Sequence, residues 1–329
     1  MRRGLLLINL GTPKAPQTPA VRTYLREFLT DKRVIDLPAL LRYILVYVFI
    51  LPFRAKRSAH AYQTIWTEQG SPLLWHSQNL LTQVQQELGP KYNVVMGMRY
   101  GEPSLARQLN QLKQCESITI LPLYPQYSSA ASGSSIEKVL TIIRSWELIP
   151  SLTVIRDFFQ HPAYIKAQAA VIKEHVNDYE HILFSYHGIP ERQIIKNDCK
   201  SVCQDSCPAL SVQSQGCYKA QCHQSSRLLA QELQLSEQHY STAFQSRLGK
   251  TPWIKPYTDE MLNQLAAKGI KKLVIACPSF VADCLETLEE ISIRAKQQWL
   301  TLGGTQLMVV PCLNEHPLWV KAITEIIST

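Results

Sequence analysis

Eight short apolar runs alternate with helical patterns along this chain, and that alternation limits its fold more than any other feature. The first four are Gly4–Leu10, Val94–Arg99, Ile118–Leu123 and Leu152–Arg156. The second four are His181–His187, Ser241–Gln245, Lys272–Cys277 and Gln306–Cys312. They are dominated by apolar residues, as strands covered on both faces are. Stretches with helical spacing, such as Leu73–Leu88 and Ala163–Val176, separate them. Strand and helix in alternation predict parallel sheets covered by helices. Two sets of four predict two similar α/β lobes, 1–177 and 178–329, and 329 residues suffice for both. The symmetry lies in the pattern; no stretch of sequence repeats. A last helix near Leu318–Ile327 either closes the second sheet or crosses back onto the first.

Within the second set, Leu183-Phe184-Ser185-Tyr186-His187-Gly188-Ile189-Pro190-Glu191 carries the sharpest chemistry. A buried strand delivers an imidazole to its carboxyl end, and Gly-x-Pro forces a turn behind it. Ligands bind at that end in open α/β sheets. A histidine there can take a proton or bind a metal near neutral pH; the alternative is a core histidine satisfied by hydrogen bonds. Further on, Lys272–Cys277 runs through a Pro turn into Asp283-Cys284-Leu285-Glu286-Thr287-Leu288-Glu289-Glu290. On an α-helix Asp283, Glu286 and Glu290 fall within about a 60° arc, and Glu289 lies off it. Stacked carboxylates raise one another's pKa and attract hard cations. The alternative is a solvated first turn favoured by the helix dipole. Tyr124, Tyr127 and Trp253 offer flat walls for an aromatic ligand, or simply pack the core.

Net charge is +8, which favours anionic partners such as lipid headgroups or carboxylated ligands. The basic residues are scattered and form no nucleic-acid motif. No secretory signal opens the chain, so a cytoplasmic location and reduced thiols are expected. Five of nine cysteines nevertheless fall between Cys199 and Cys222. Thiolates bind zinc or iron–sulfur clusters, and unligated thiols are the alternative. The segment 40–53 has nine uninterrupted apolar residues after Arg42, well short of the ~20 that span a bilayer. Arg54, Lys56 and Arg57 follow it. It is either a buried helix or a segment dipped into a membrane surface.

Several motifs together resemble the ferrochelatases. They are Leu7-Ile8-Asn9-Leu10-Gly11-Thr12-Pro13, Phe28-Leu29-Thr30-Asp31, and Tyr124-Pro125-Gln126-Tyr127-Ser128 with Gly133-Ser134-Ser135. In the second half they are Ser185–Arg192, Gln245-Ser246-Arg247-Leu248-Gly249 with Pro252-Trp253, Tyr257-Thr258-Asp259-Glu260, and Asp283–Leu288. The resemblance runs from residue 4 to 325 in order. It implies a chelatase-like fold of two Rossmann-like lobes, each a four-stranded parallel sheet flanked by helices. It also implies insertion of Fe²⁺ into protoporphyrin IX to form protohaem, with no organic cofactor. His187 and Glu286 are then the catalytic and metal-facing residues, with Asp283 and Glu290 relaying protons or metal. Leu10, Tyr124, Tyr127 and Trp253 contact the porphyrin, and 40–53 forms a lip at the site's mouth.

Some bacterial members carry a 2Fe–2S cluster on an internal four-cysteine segment. The resemblance thus implies Cys199, Cys203, Cys207 and Cys217 as its ligands. Cys222 is left over, at a position where cluster-free relatives also have cysteine. Animal relatives have a histidine where this chain has Cys284, so a scheme requiring that histidine does not carry over. Peripheral membrane association is expected, and a homodimer is allowed. Other readings stay open: coproporphyrin or another tetrapyrrole as substrate, a non-catalytic porphyrin carrier, or an iron–sulfur redox sensor. The apolar lip favours the less polar porphyrin.

Overall fold

The first set of apolar runs forms β1 (Arg3–Asn9), β2 (Tyr92–Met98), β3 (Ser117–Pro122) and β4 (Ser151–Val154), hydrogen-bonded in the order β2-β1-β3-β4. The second set forms β5 (His181–His187), β6 (Tyr240–Gln245), β7 (Lys272–Ala276) and β8 (Gln306–Val309), in the order β6-β5-β7-β8. Every pairing is parallel. The computed structural model describes residues 2–196, 202–203, 207–247, 249 and 251–328.

The order is the same in both sheets. The first strand lies inside, the second on one side of it, the third and fourth on the other. Strand order therefore reverses between β1 and β3, and again between β5 and β7. In open α/β sheets the crevice outside such a switch point is where ligands bind. The first strands are the most buried: Leu5–Ile8 and Leu183–Phe184 are shut off from solvent. The edge strands β4 and β8 are short and half exposed, as edges that resist further pairing are.

Contacts divide the chain into two compact units. One comprises Met1–Tyr124, Ser128–Asp157 and Ile323–Thr329; the other comprises Pro125–Tyr127 and Phe158–Ala322. Helix Pro162–His175 falls in the second unit, ahead of the expected boundary at 177/178. The last helix, Pro317–Ile326, contributes residues to both units. In the first unit Leu6, Ile8, Val95, Ile118 and Ile120 pack against Leu105, Leu109, Val139 and Ile143 from its helices. In the second, Leu183, Leu273, Ile275 and Leu307 pack against Leu262, Leu265, Ile291 and Trp299. Burying each such side chain contributes roughly 1.5–3 kcal/mol.

The segment 39–65 is helical throughout: Ala39–Ile44, Leu45–Ile50 and Leu51–Ile65. Its middle winds with i→i+5 hydrogen bonds, Leu51 N–H bonding the Val46 carbonyl. Val46 and Leu51 face inward. Leu40, Leu41, Tyr43, Ile44, Tyr47, Val48, Phe49 and Phe53 are exposed, Leu40 at 72% and Phe53 at 78%. Among the described residues no helix is long and apolar enough to cross a membrane.

Candidate active site

His187 ends β5, opposite Gln245 at the end of β6. Its backbone N–H donates to Ser279 Oγ (3.0 Å), and its carbonyl accepts from Tyr218 Oη (2.7 Å). Its ring Nδ1 lies 2.6 Å from the Gly188 carbonyl oxygen. A carbonyl can only accept, so Nδ1 carries a proton, and in the neutral ring Nε2 is then the nitrogen with the lone pair. This is the tautomer a base or metal donor needs. The ring is flanked by Trp253 and Phe280, with centroids 6.4 and 6.1 Å away. Gly188 permits this crowding: a Cβ there would sit 2.8 Å from the Gln245 carbonyl oxygen.

The acidic segment follows β7. The chain stays irregular through Asp283 and enters a helix at Leu285, and Glu286–Ala295 winds with i→i+5 bonds. The α-helical arc drawn from sequence therefore excludes Asp283. Thr287, Ile291 and Ala295 form the buried face, and Glu286 and Glu290 share the same four-residue spacing beside it. Glu289 pairs with Arg294 (2.9 Å), which also reaches Glu290 (4.0 Å). The Glu290 carboxylate accepts from the Ser246 backbone N–H (2.8 Å) and Oγ (2.5 Å). Burial nevertheless pushes its pKa up, while the Ser246 donors, His187 and Arg294 pull it down. His187 and Glu290 are thus electrostatic neighbours.

Glu286 is fixed through its main chain: its carbonyl accepts from Gln245 Nε2 (2.9 Å). Gln245 Oε1 accepts in turn from Ser185 Oγ on β5 (2.7 Å). Asp283 is turned inward. Its carboxylate accepts from Thr287 Oγ1 (2.9 Å), Asn314 Nδ2 (2.7 Å) and the Cys312 N–H (3.4 Å). The Cys284 thiol is buried beside Glu286; burial and that carboxylate hold its pKa well above the usual thiol range, so it stays S–H. Sequence reasoning missed Gln245, Ser246 and Asn314 as partners of the carboxylates. The Gln-Ser pair stood in a quoted motif, but nothing in the sequence marks Asn314.

Trp253 and Tyr127 lie in the same unit as His187, and both are half-buried. Tyr127 N–H donates to Gln221 Oε1 (2.6 Å). Leu10 and Tyr124 belong to the other unit, at the carboxyl ends of β1 and β3. There Asp31 accepts from Tyr100 Oη (2.9 Å) and Ser134 Oγ (2.6 Å) and pairs with Arg99. Two quoted motifs far apart in sequence, Phe28–Asp31 and Gly133–Ser135, are thereby joined.

Cys199 lies outside the described residues. Cys203 is half-buried, and Cys207 and Cys217 are buried. The Cys207 thiol pKa is driven up by its hydrogen bond with Cys217, then by burial and by Cys203 alongside. Lys219, itself buried, donates to the Cys203 carbonyl (2.5 Å), and Arg227 donates to that of Cys207 (3.2 Å). Cys222 sits inside helix Tyr218–Glu232, close to Tyr218 and Tyr186. Among the described residues no group of three or more His, Cys, Asp and Glu side chains is placed to hold a metal ion.

The solved structures whose fold is similar include SirB from Bacillus subtilis with Fe³⁺, at TM-score 0.56 and 10% identity, covering 100% of this chain and 95% of that one. The sirohydrochlorin chelatase SirB of Bacillus subtilis subspecies spizizenii, with cobalt, gives 0.56 and 9%, covering 100% and 94%. The fold is thus that of the chelatases, with a histidine and two carboxylate residues at one switch point. A family model described as ferrochelatase matches residues 2–329. Ferrochelatases of Legionella pneumophila (strain Lens) and Coxiella burnetii (strain Dugway 5J108-111) are 62% and 50% identical. The first alignment covers 100% of this chain and 99% of the relative, the second 98% and 92%. The chain belongs to the ferrochelatase family.

The second unit also holds two buried histidines that resist protonation. Burial, with Lys219 and Arg227 nearby, pushes His223 down to about 4. Burial, with Lys268 and His239 nearby, does the same to His181. An unfolded imidazole takes its proton near 6.5. The stability gained by keeping these two neutral is complete above pH ~6.5 and is lost as pH falls toward ~4. The melting temperature should fall across that window, each imidazole contributing on the order of 2 kcal/mol. The double variant His181→Asn, His223→Gln should flatten the decline. Thermal melts from pH 8 to 4 that decline equally in variant and wild type would contradict this.

Proposed function

We infer that the protein inserts Fe²⁺ into protoporphyrin IX to form protohaem. The observation that carries this reading is the contact of His187 Nδ1 with the Gly188 carbonyl, which leaves Nε2 of the neutral ring as a base, with half-buried Glu290 as its electrostatic neighbour. As iron enters the macrocycle, two pyrrole N–H protons must leave. His187 Nε2 takes a proton at the ring, and Glu290, raised by burial, is suited to receive it. Glu286, anchored through its main chain, meets the incoming iron, and Asp283 secures the inner end of the acidic segment. Leu10, Tyr124, Tyr127 and Trp253 serve as porphyrin contacts. Anaerobic incubation with Fe²⁺ and either protoporphyrin or coproporphyrin, followed by absorption, tests the substrate. Haem bands should grow with protoporphyrin. His187→Ala should lose turnover by roughly a hundredfold or more with its circular dichroism unchanged; turnover within tenfold of wild type would remove His187 from the mechanism.

Peripheral binding to the cytoplasmic face of a membrane is supported by the exposed apolar side chains of 40–53, followed by basic residues. Replacing Leu41, Val48 and Phe49 by Ser should weaken co-sedimentation with anionic liposomes. Unchanged binding would leave the segment as pocket wall alone.

A 2Fe–2S cluster is supported by the donor chemistry: the thiols of Cys203, Cys207 and Cys217 adjoin, and Lys219 and Arg227 hold the main-chain carbonyls of Cys203 and Cys207. These three, with Cys199, would hold it, and its role would be structural or regulatory because metal insertion moves no electrons. Protein purified anaerobically should be reddish-brown with about two irons per chain. Each of the four Cys→Ser variants should lose the colour and Cys222→Ser should keep it. Stoichiometric zinc in a colourless protein would rule the cluster out.

A further inference from the structure

Among the described residues, three non-glycine residues have positive φ: Gln234 (57°), Ser246 (68°) and Asn314 (48°). This backbone region is disfavoured by a Cβ and persists where surrounding contacts over-determine it. Gln234 closes a helix, its N–H bonding the Gln231 carbonyl. The other two each hold a carboxylate of the acidic segment. Ser246 gives both its N–H and its hydroxyl to Glu290, one to each oxygen. Asn314 holds Asp283 twice: Nδ2 donates to the carboxylate, and Oδ1 accepts the Asp283 N–H (2.9 Å).

We propose that Ser246 and Asn314 are positioning residues for metal insertion, restraining Glu290 and Asp283 so that the segment passes a divalent ion on instead of chelating it. Three carboxylates free to converge would form a high-affinity oxygen site for a divalent cation. An enzyme that must give its ion up to a porphyrin gains nothing from such a trap. Hydrogen bonds that aim one carboxylate at Asn314 and another at Ser246 oppose that convergence. Asp283 and Glu290 are each held in this way at the two ends. Glu286, between them, is fixed through its main-chain carbonyl instead. Both restraints come from residues in an uncommon backbone state, and the reward for that strain is the carboxylate contact.

The proposal rests on the metal-insertion reading, and its test uses two deletions that keep the backbone. Glycine tolerates positive φ, so Ser246→Gly and Asn314→Gly remove the side-chain bonds without new strain. The full-length variants are titrated with Zn²⁺ without porphyrin, then assayed for insertion. Zn²⁺ should bind about tenfold more tightly in each, as expected when charge-assisted bonds no longer compete. In the assay kcat and the KM for metal should fall together, with the KM for porphyrin unchanged and the melting temperature lowered by only about 2–8 °C. Gln234→Gly should match wild type throughout. Unchanged or weaker Zn²⁺ binding in both variants, or a loss of kcat with a raised metal KM, would overturn the proposal. If wild-type protein inserts no metal, the function is wrong and the Zn²⁺ titration alone decides the restraint.

Discussion

One buried amide ties the parts of the site together. Gln245 accepts from Ser185 on the histidine's strand and donates to the first turn of the acidic helix. Its own backbone carbonyl accepts the N–H of Gly188, just past His187. A side chain with donors and acceptors on one planar group can join two such partners, whereas Glu or Leu could not do both. Leaving either buried partner unsatisfied costs about 1–3 kcal/mol. The imidazole and the carboxylates therefore share one hydrogen-bonded frame, and a shift of the helix is felt at the end of β5.

The two units use the same strand order for different chemistry. At the ends of β1 and β3 lie Asn9, Thr12, Tyr124 and the Arg99–Asp31 pair, in which charge is compensated locally. At the ends of β5 and β7 lie an imidazole and carboxylates, and there burial pushes the pKa of Glu290 up. A fold places the ends of strands; the side chains set there decide what happens.

Much of this was readable in the chain. Eight apolar runs and their spacing foretold both sheets, because burial on two faces leaves little choice of residue. The Gly-x-Pro after His187 announced the end of β5. The winding of Glu286–Ala295 was not readable, since i→i+5 bonding depends on what the helix packs against and leaves no periodic signature. For that reason Asp283 was counted on a stripe that the chain does not form. Positive φ at Ser246 and Asn314 was equally hidden, because neither residue type demands it. For the segment 40–53 the sequence left a buried helix or a segment dipped into a membrane surface, and the exposure of its side chains was not readable: apolar content alone does not say which side faces solvent.

The division of the last helix has a consequence for synthesis. β1 to β4 are all contained in the first 154 residues, so the first sheet can pair while the rest of the chain is still being made. Yet Ile323–Thr329 also belongs to that first unit. The first unit thus depends on a segment that follows the second unit along the chain. A chain cut after Ala322 would strip residues from the amino-terminal unit, not from the one in which it would then end.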